Sequence, residues 1–268
     1  MLTVTALYIY PIKSLGGFSV DEATITTRGF EYDRRWMLID LNGQFMTQRE
    51  FHAMALLQTA IHPDGLYVYH KLHPEKNINI SFLPASINRK KVTVWEDECE
   101  AWVYDDGINN WFSEMLETSC SLVYMPDETN RLVDRNYAIG NEITSFSDGY
   151  PFLIIGQASL DTLNEKLEQP LPINRFRPNI VFSAGEPYEE ENWQHFTINQ
   201  IDFYGVKTCS RCMITTIDQQ TAIASKEPLK TLATYRSVNN KIKFGMNLLH
   251  KGTGSIKVGE IITVLDRK

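Results

Sequence analysis

Short runs in which apolar and polar residues alternate dominate the first hundred residues of the chain. Alternation of this kind places apolar side chains on one face of a β-strand, and turn-forming residues separate the runs here. Asn42-Gly43 stands between two of these runs, which is the strongest short-range signal for a hairpin. The pattern is typical of a β-barrel or sandwich and not of alternating strands and helices. The six predicted strands are 2–10, 19–27, 34–40, 65–70, 76–82 and 89–96.

Helical spacing of apolar residues appears at three places further along the chain. Residues 105–117 begin with acidic residues and carry one apolar face, which predicts an amphipathic helix. Two more helices are predicted at 156–168 and at 227–236, the second opened by Pro228 at its first helical position. Runs of β-branched and aromatic residues predict strands at 179–183, 196–206, 213–218 and 255–265.

Composition indicates a folded protein with a sizeable core, because 43% of the 268 residues are hydrophobic. The net charge of −7 argues against nucleic acid or an anionic membrane surface as a partner, so any anion site has to be local. No apolar run has the length needed to span a bilayer, which predicts a cytoplasmic protein without a membrane segment. A polar stretch near residues 124–140 predicts two domains, 1–124 and 125–268.

A Cys-x-x-Cys pair, Cys209 and Cys212, carries the clearest candidate chemistry. A zinc site ordinarily needs a second pair of ligands, and the remaining cysteines, Cys99 and Cys120, are distant in sequence. A thioredoxin-type dithiol needs a helix start inside a βαβ unit, whereas the residues after Cys212 favour a strand. Two buried thiols without chemistry are a further alternative, since free cysteine is among the most buried residues.

Two cations flank these thiols and favour a ligand role. Lys207 and Arg211 bracket Cys209 and Cys212, and neighbouring cations lower a thiol pKa toward the thiolate that binds soft metals. The spacing alone does not decide which chemistry the pair performs.

Eight motifs follow one another over nearly the whole chain: YPIKS, DRRWMLID, SDGYPFLI, RFRPNIVF, ENW, CSRCMITTID, KEPLKTLATYR and GSIKVGE. In this order they resemble proteins with an N-terminal MOSC β-barrel domain followed by a MOSC domain, among them the bacterial molybdenum enzymes that reduce hydroxylaminopurines and the mitochondrial amidoxime-reducing components. The resemblance implies an α+β, β-rich fold, with an N-terminal β-barrel-like domain, a MOSC β-barrel domain and a few short helices. It also implies the molybdenum cofactor, molybdopterin, and the reduction of N-hydroxylated compounds by oxygen transfer to molybdenum.

The resemblance also implies the site residues. Cys212 supplies the catalytic thiolate that binds molybdenum, and Cys209 lies beside it, in the cofactor pocket or in packing. Pro178 biases Arg177 toward an extended backbone at a loop edge, and Arg34 has an ion pair with Asp33 as its alternative role. The implied cofactor-binding residues are Lys13, Ser14, Arg34, Asp148, Arg177, Asn179, Cys209 and Ser210.

The implied partners are an N-hydroxylated small molecule and an electron donor. Some bacterial relatives carry a C-terminal ferredoxin-like iron–sulfur domain, and this sequence ends at VLDRK without the clustered cysteines of such a domain. We therefore expect a ferredoxin-like iron–sulfur and flavin reductase to act from a separate chain or from a C-terminal domain missing here. Two alternatives are a carrier of the cofactor or sulfur-transfer module, with a persulfide on Cys212 or Cys209, and a binding barrel whose cysteines only pack.

Overall fold

The computed structural model describes residues 1–268 and shows 21 strands, three α-helices and four short 3-10 helices, so the α+β, β-rich fold is confirmed. The α-helices are α1 (Asp106–Leu116), α2 (Gln157–Asn164) and α3 (Leu229–Ala233), and the 3-10 helices are His52–Leu56, Ile173–Arg175, Glu189–Asn192 and Met213–Thr216. The strands are β1 (Thr3–Ile9), β2 (Phe18–Val20), β3 (Glu22–Thr26), β4 (Gly29–Phe30), β5 (Trp36–Ile39), β6 (Leu57–His62), β7 (Gly65–His70), β8 (His73–Ser81), β9 (Arg89–Val94), β10 (Asp97–Val103), β11 (Ser121–Tyr124), β12 (Arg131–Leu132), β13 (Ile143–Thr144), β14 (Phe152–Gly156), β15 (Ile180–Ser183), β16 (Trp193–Ile198), β17 (Ile201–Ser210), β18 (Ser237–Val238), β19 (Lys241–Lys251), β20 (Gly254–Lys257) and β21 (Ile262–Arg267).

The largest sheet joins both ends of the chain. It has nine strands in the order β2-β1-β15-β14-β19-β17-β16-β21, with β18 paired to β19. β1 runs antiparallel to β15, with Leu7 opposite Ile180, and β3 pairs with β20 in a smaller sheet. One buried core therefore combines Leu7 and Phe30 with Phe152 and Phe203. The sheets do not follow a single cut at residue 124, and the division into 1–124 and 125–268 stays a prediction.

A second core lies between residues 12 and 122. The sheet β5-β11-β10-β9 and the sheet β6-β7-β8 enclose it, and the predicted amphipathic helix packs against it as α1. The Asp105 side chain accepts a hydrogen bond from the backbone N–H of Ile108 at the start of α1, and Phe112 and Leu116 are buried. Trp36 is buried beside them and donates to the hydroxyl of Tyr104 at 2.8 Å.

The strand predicted at 213–218 is wrong, because Met213–Thr216 forms a 3-10 helix. The hydroxyls of Thr215 and Thr216 donate to the carbonyls of Cys212 and Met213 at 3.0 and 2.7 Å. Such local bonds give β-branched residues an alternative to pairing in a sheet. Cys212 consequently stands at the cap of a helical turn and not at the start of a strand.

Other predicted elements are present with shifted bounds. The Asn42-Gly43 turn forms, with Gly43 at φ +82°, but only two isolated bridges follow it, at Gln44 and Phe45. The strand predicted at 196–206 is a hairpin of β16 and β17, in which Asn199 and Gln200 have φ of 51°. α3 begins after Pro228, which is its cap and not its first residue. None of the three α-helices has the length and apolar character that crossing a bilayer requires.

Candidate active site

One cavity of about 620 Å³ collects the site residues that the sequence predicted. Its wall contains segments from the first hundred residues, the ends of β14 and β17, residues of β19 and the loop before β15. The structure brings together all nine predicted side chains, although their roles stay predictions. These are Lys13, Ser14, Arg34, Asp148, Arg177, Asn179, Cys209, Ser210 and Cys212.

Three of these residues have a left-handed backbone. Ser14, Arg34 and Arg177 have φ of 67°, 51° and 53°, a region that non-glycine residues seldom adopt. Each such residue costs about 1–3 kcal/mol and persists where the surrounding structure fixes it. Four of the thirteen non-glycine residues with positive φ line this cavity, the fourth being Trp95 at 58°, so strained backbone is concentrated here without being confined to it.

The extended backbone predicted for Arg177 is therefore wrong. The N–H of Arg177 donates to the carbonyl of Asn174 at 3.3 Å and closes the turn after the 3-10 helix 173–175. The carbonyl of Arg177 accepts a hydrogen bond from Arg34 Nη2 at 3.3 Å. These two bonds override the bias that the following proline imposes.

Arg34 and Arg177 form a cationic pair around one aromatic ring. Each guanidinium carbon lies 4.4 Å from the centre of the Tyr10 ring, a distance that permits cation–π attraction. Arg34 Nη1 donates to Asp33 at 2.6 Å and to the side-chain oxygen of Asn179 at 3.2 Å, so the ion pair considered as its alternative role also forms.

Arg177 has no such partner. No carboxylate and no hydrogen-bond acceptor of the protein contacts its guanidinium, which faces the cavity. Burial and the neighbouring charge of Arg34 lower the pKa of Arg177 to about 10. Two adjacent guanidinium groups with a single carboxylate between them form a site that an anion would complete.

Lys13 and Asp148 form an ion pair at another part of the wall. Lys13 is 5% exposed, and its Nζ donates to Asp148 at 2.6 Å and to the carbonyl of Phe146 at 2.8 Å. Burial lowers the pKa of Lys13 to about 8, and the charge of Asp148 opposes that shift. The Asp148 side chain is 70% exposed toward the cavity and also accepts the Trp95 indole N–H at 3.2 Å. Desolvation raises the pKa of Asp148, but Lys13 and Trp95 outweigh it and hold that pKa below its ordinary value.

The two thiols are half-buried and differ in their surroundings. Burial raises the pKa of Cys209 although Arg211 lowers it, so the expected effect of the flanking cations is wrong for this thiol. Lys207 instead lies 4.1 Å from the centre of the Tyr137 ring. Arg211 donates to the carbonyls of Phe244 and Phe176 at 2.8 and 3.0 Å.

The loop that carries Cys212 is fixed by a residue that the sequence did not single out. Arg175 is 3% exposed, and its guanidinium donates to the carbonyl of Thr215 at 2.9 Å and to Asp218 at 3.2 Å. It stands two residues before Arg177 in the same motif, which was the available signal. Trp95 was assigned to the end of the strand predicted at 89–96, but it lies in the turn between β9 and β10 with φ of 58°.

The side chains present fit a pterin with a dithiolene and a terminal phosphate. Arg177 lacks an acceptor, and the buried Nη2 of Arg211 has no hydrogen-bond partner in the protein. Buried cations in this state require an anion or another acceptor. The thiol of Cys212 lines the same cavity and is of the type that binds soft metals.

Comparison with known proteins defines the class. The MOSC N-terminal beta barrel domain matches residues 1–119, and the MOSC domain matches residues 141–263. The chain belongs to the family of proteins that combine these two domains, as its motifs predicted. This membership links it to the molybdenum cofactor.

Individual relatives carry two different names. Mitochondrial amidoxime-reducing component 1 is 32% identical in Mus musculus and 31% identical in Homo sapiens, each over 98% of this chain and over 82% and 83% of the relative. Molybdenum cofactor sulfurase of Oryza sativa subsp. japonica is 33% identical over 98% of this chain. The chain spans 34% of that sulfurase, so the match concerns one part of a longer protein.

Proposed function

We propose that the protein is a molybdenum-cofactor-dependent oxidoreductase that reduces N-hydroxylated compounds, with Cys212 as the ligand of the metal. One observation carries the proposal: the Cys212 thiol lines a single cavity with the guanidinium of Arg177, which has no acceptor in the protein, and with Arg211, whose buried Nη2 has none. The similarity to amidoxime-reducing components over more than four fifths of their length supports the same reaction class.

When bound, the cofactor supplies two-electron reduction and accepts the oxygen of the substrate. Lys13, Arg34 and Arg177 hold its anionic part, because they place three cationic groups on the cavity wall. The side-chain oxygen of Asn179 accepts a hydrogen bond from Arg34 and orients its guanidinium. The 3-10 helix 213–216, held by Arg175, fixes the backbone from which the Cys212 thiolate extends.

Asp148 orients the substrate in this proposal. Its carboxylate is open to the cavity and is fixed by Lys13 and Trp95. An N-hydroxylated compound presents N–H and O–H donors, which an ionised carboxylate accepts. A carboxylate whose pKa lies below its ordinary value stays ionised at neutral pH and keeps this capacity.

Electrons have to reach the site from another protein or domain. A ferredoxin-like iron–sulfur and flavin reductase is the donor that we propose, and a cytoplasmic location stays a prediction. The similarity to molybdenum cofactor sulfurases supports a second candidate, transfer of cofactor or sulfur without turnover.

The deciding experiment uses protein expressed in a host that makes the cofactor. Molybdenum and pterin contents are measured for the wild type, Cys212→Ser and Cys209→Ser, and reduction of hydroxylaminopurine and of an amidoxime is assayed with an artificial electron donor. We expect wild type and Cys209→Ser to contain molybdenum and to turn over, and Cys212→Ser to lose turnover. Wild type that contains cofactor, fails to reduce either compound and releases sulfide on reduction would favour the transfer function.

A further inference from the structure

The cavity holds more cations than the proposed cofactor residues account for. Seven Lys and Arg side chains line it against two carboxylates, although the whole chain carries a net charge of −7. Lys13, Arg34 and Arg175 have carboxylate partners, and Arg177 and Arg211 have donor atoms that the proposed cofactor would satisfy. Two lysines remain on the lining, Lys207 and Lys241, and neither has a carboxylate partner.

A third lysine joins them from the neighbouring position of β19. Lys243 lies two residues from Lys241 on the strand, so the two side chains leave the same face. Its Nζ donates to the hydroxyl of Ser210 at 2.8 Å, and Ser210 pairs with Lys243 across β17 and β19. The charges of Lys241 and Lys207, together with burial as the larger cause, lower the pKa of Lys243. Lys207 and Lys241 line the same cavity as Ser210, the residue that Lys243 contacts, so the three lysines meet at one cavity.

The shape of this lysine cluster favours a compact anion. Lys207 and Lys243 are half-buried, one over the Tyr137 ring and the other against Ser210, and only Lys241 is exposed. A concave site lined by positive charges concentrates the electrostatic field on a small anion. Docking of an acidic protein would instead use cationic side chains that protrude from the surface. Three ammonium groups and a hydroxyl are the donors that a phosphate monoester accepts.

We propose that the substrate of this site carries a phosphate monoester, as a nucleoside monophosphate does, and that Lys207, Lys241 and Lys243 bind that phosphate at the cavity wall. The inference deepens the proposed function and rests on it for the identity of the reaction. The binding step itself can be tested without turnover.

The test uses the cofactor-loaded protein, the double variant Lys241→Gln/Lys243→Gln and the control Lys91→Gln, an exposed lysine of β9 outside the cavity. Calorimetry compares binding of adenosine 5′-monophosphate with adenosine. The wild type and the control should bind the phosphorylated ligand about tenfold more tightly or better, and the double variant should lose this preference. Kinetics then compare N6-hydroxyadenosine with its 5′-monophosphate. The kcat/KM value for the monophosphate divided by that for the nucleoside should fall in the double variant alone.

Several outcomes would overturn the inference. Equal affinity of the wild type for both ligands would reject the phosphate site. Loss of pterin from the double variant would show that the lysines hold the cofactor. An equal loss of kcat/KM with both substrates in the double variant would reject a role specific to the phosphate. Binding of the monophosphate in the loaded wild type, lost in the double variant but without turnover of either substrate, would support the phosphate site and reject the reductase.

Discussion

The side-chain amides of Gln48 and Gln219 exchange two hydrogen bonds, of 3.2 and 2.9 Å, between residues that are 171 positions apart. Gln48 also donates to the carbonyl of Ser14 at 2.6 Å, and both amides are buried. The pair therefore connects the loop after Cys212 to the turn that presents Lys13 and Ser14. Two walls of the candidate site are held in register by this contact.

Replacing either glutamine with methionine should destabilise the protein. Gln48→Met leaves the Gln219 side-chain oxygen and the Ser14 carbonyl without their donor, and a buried polar group left unpaired costs about 1–3 kcal/mol. The double variant Gln48→Met/Gln219→Met should cost less than the two single variants together, because both unpaired amides are then absent. Chemical denaturation of the four proteins measures the coupling, and strictly additive losses would show that the pair is not a unit.

This pair shows what a sequence cannot reveal. Neither Gln48 nor Gln219 lies in a motif, and only the folded chain brings them together. Local chemistry did predict α1, whose apolar face and acidic start suffice, and the turn at Asn42-Gly43. It failed at 213–216, where hydroxyl bonds to the preceding carbonyls outweigh β propensity, and at Arg177, where contacts with Arg34 outweigh the proline bias.

Glu190 should make the stability of the protein depend on pH. This side chain is 0% exposed, accepts hydrogen bonds from Ser159 and Gly156, and has no cation partner. Burial raises its pKa from 4.5 to about 7. The folded state therefore binds this proton more tightly than the unfolded state does. The stabilisation that results is fully present below pH 4.5 and is lost as pH rises through about 7.

Glu190→Gln should remove this dependence. As pH rises from below 4.5 to 8, the free energy of unfolding of the variant should increase relative to that of the wild type by up to about 3 kcal/mol. This value follows from the two pKa values through the linkage of protonation to folding. Denaturation midpoints at several pH values measure the difference. The exposed neighbour Glu186, changed to glutamine, serves as the control and should follow the wild type. A parallel pH profile for Glu190→Gln would mean that the carboxyl is ionised in the folded protein.

Arg175→Lys should loosen the backbone around Cys212. A lysine cannot hold the Thr215 carbonyl and Asp218 together as the guanidinium does. In the cofactor-free protein with Cys209→Ser, labelling of Cys212 by a thiol reagent should become several-fold faster. Arg89→Lys, an exposed residue paired with Glu100, is the matched control and should leave the rate unchanged. An unchanged rate in both variants would show that Arg175 does not position Cys212.

Retention of the pterin should depend on the protonation of Lys13. Burial lowers the pKa of Lys13 to about 8, and Asp148 raises it against that effect. The ammonium group that attracts an anion is therefore present below about pH 8 and is lost as pH rises above it.

Asp148→Asn removes the charge that supports this ammonium group, so the pH at which pterin is lost should fall by about one unit. Gel filtration from pH 6 to 10, with pterin fluorescence measured on the protein fraction, gives the midpoint for each protein. Asp64→Asn is the control, because Asp64 is exposed in the turn between β6 and β7 and does not line the cavity. If Asp148→Asn keeps its pterin to the same pH as the wild type, Lys13 does not hold the anionic part of the cofactor. A shift shared by Asp64→Asn would instead report the change in net charge.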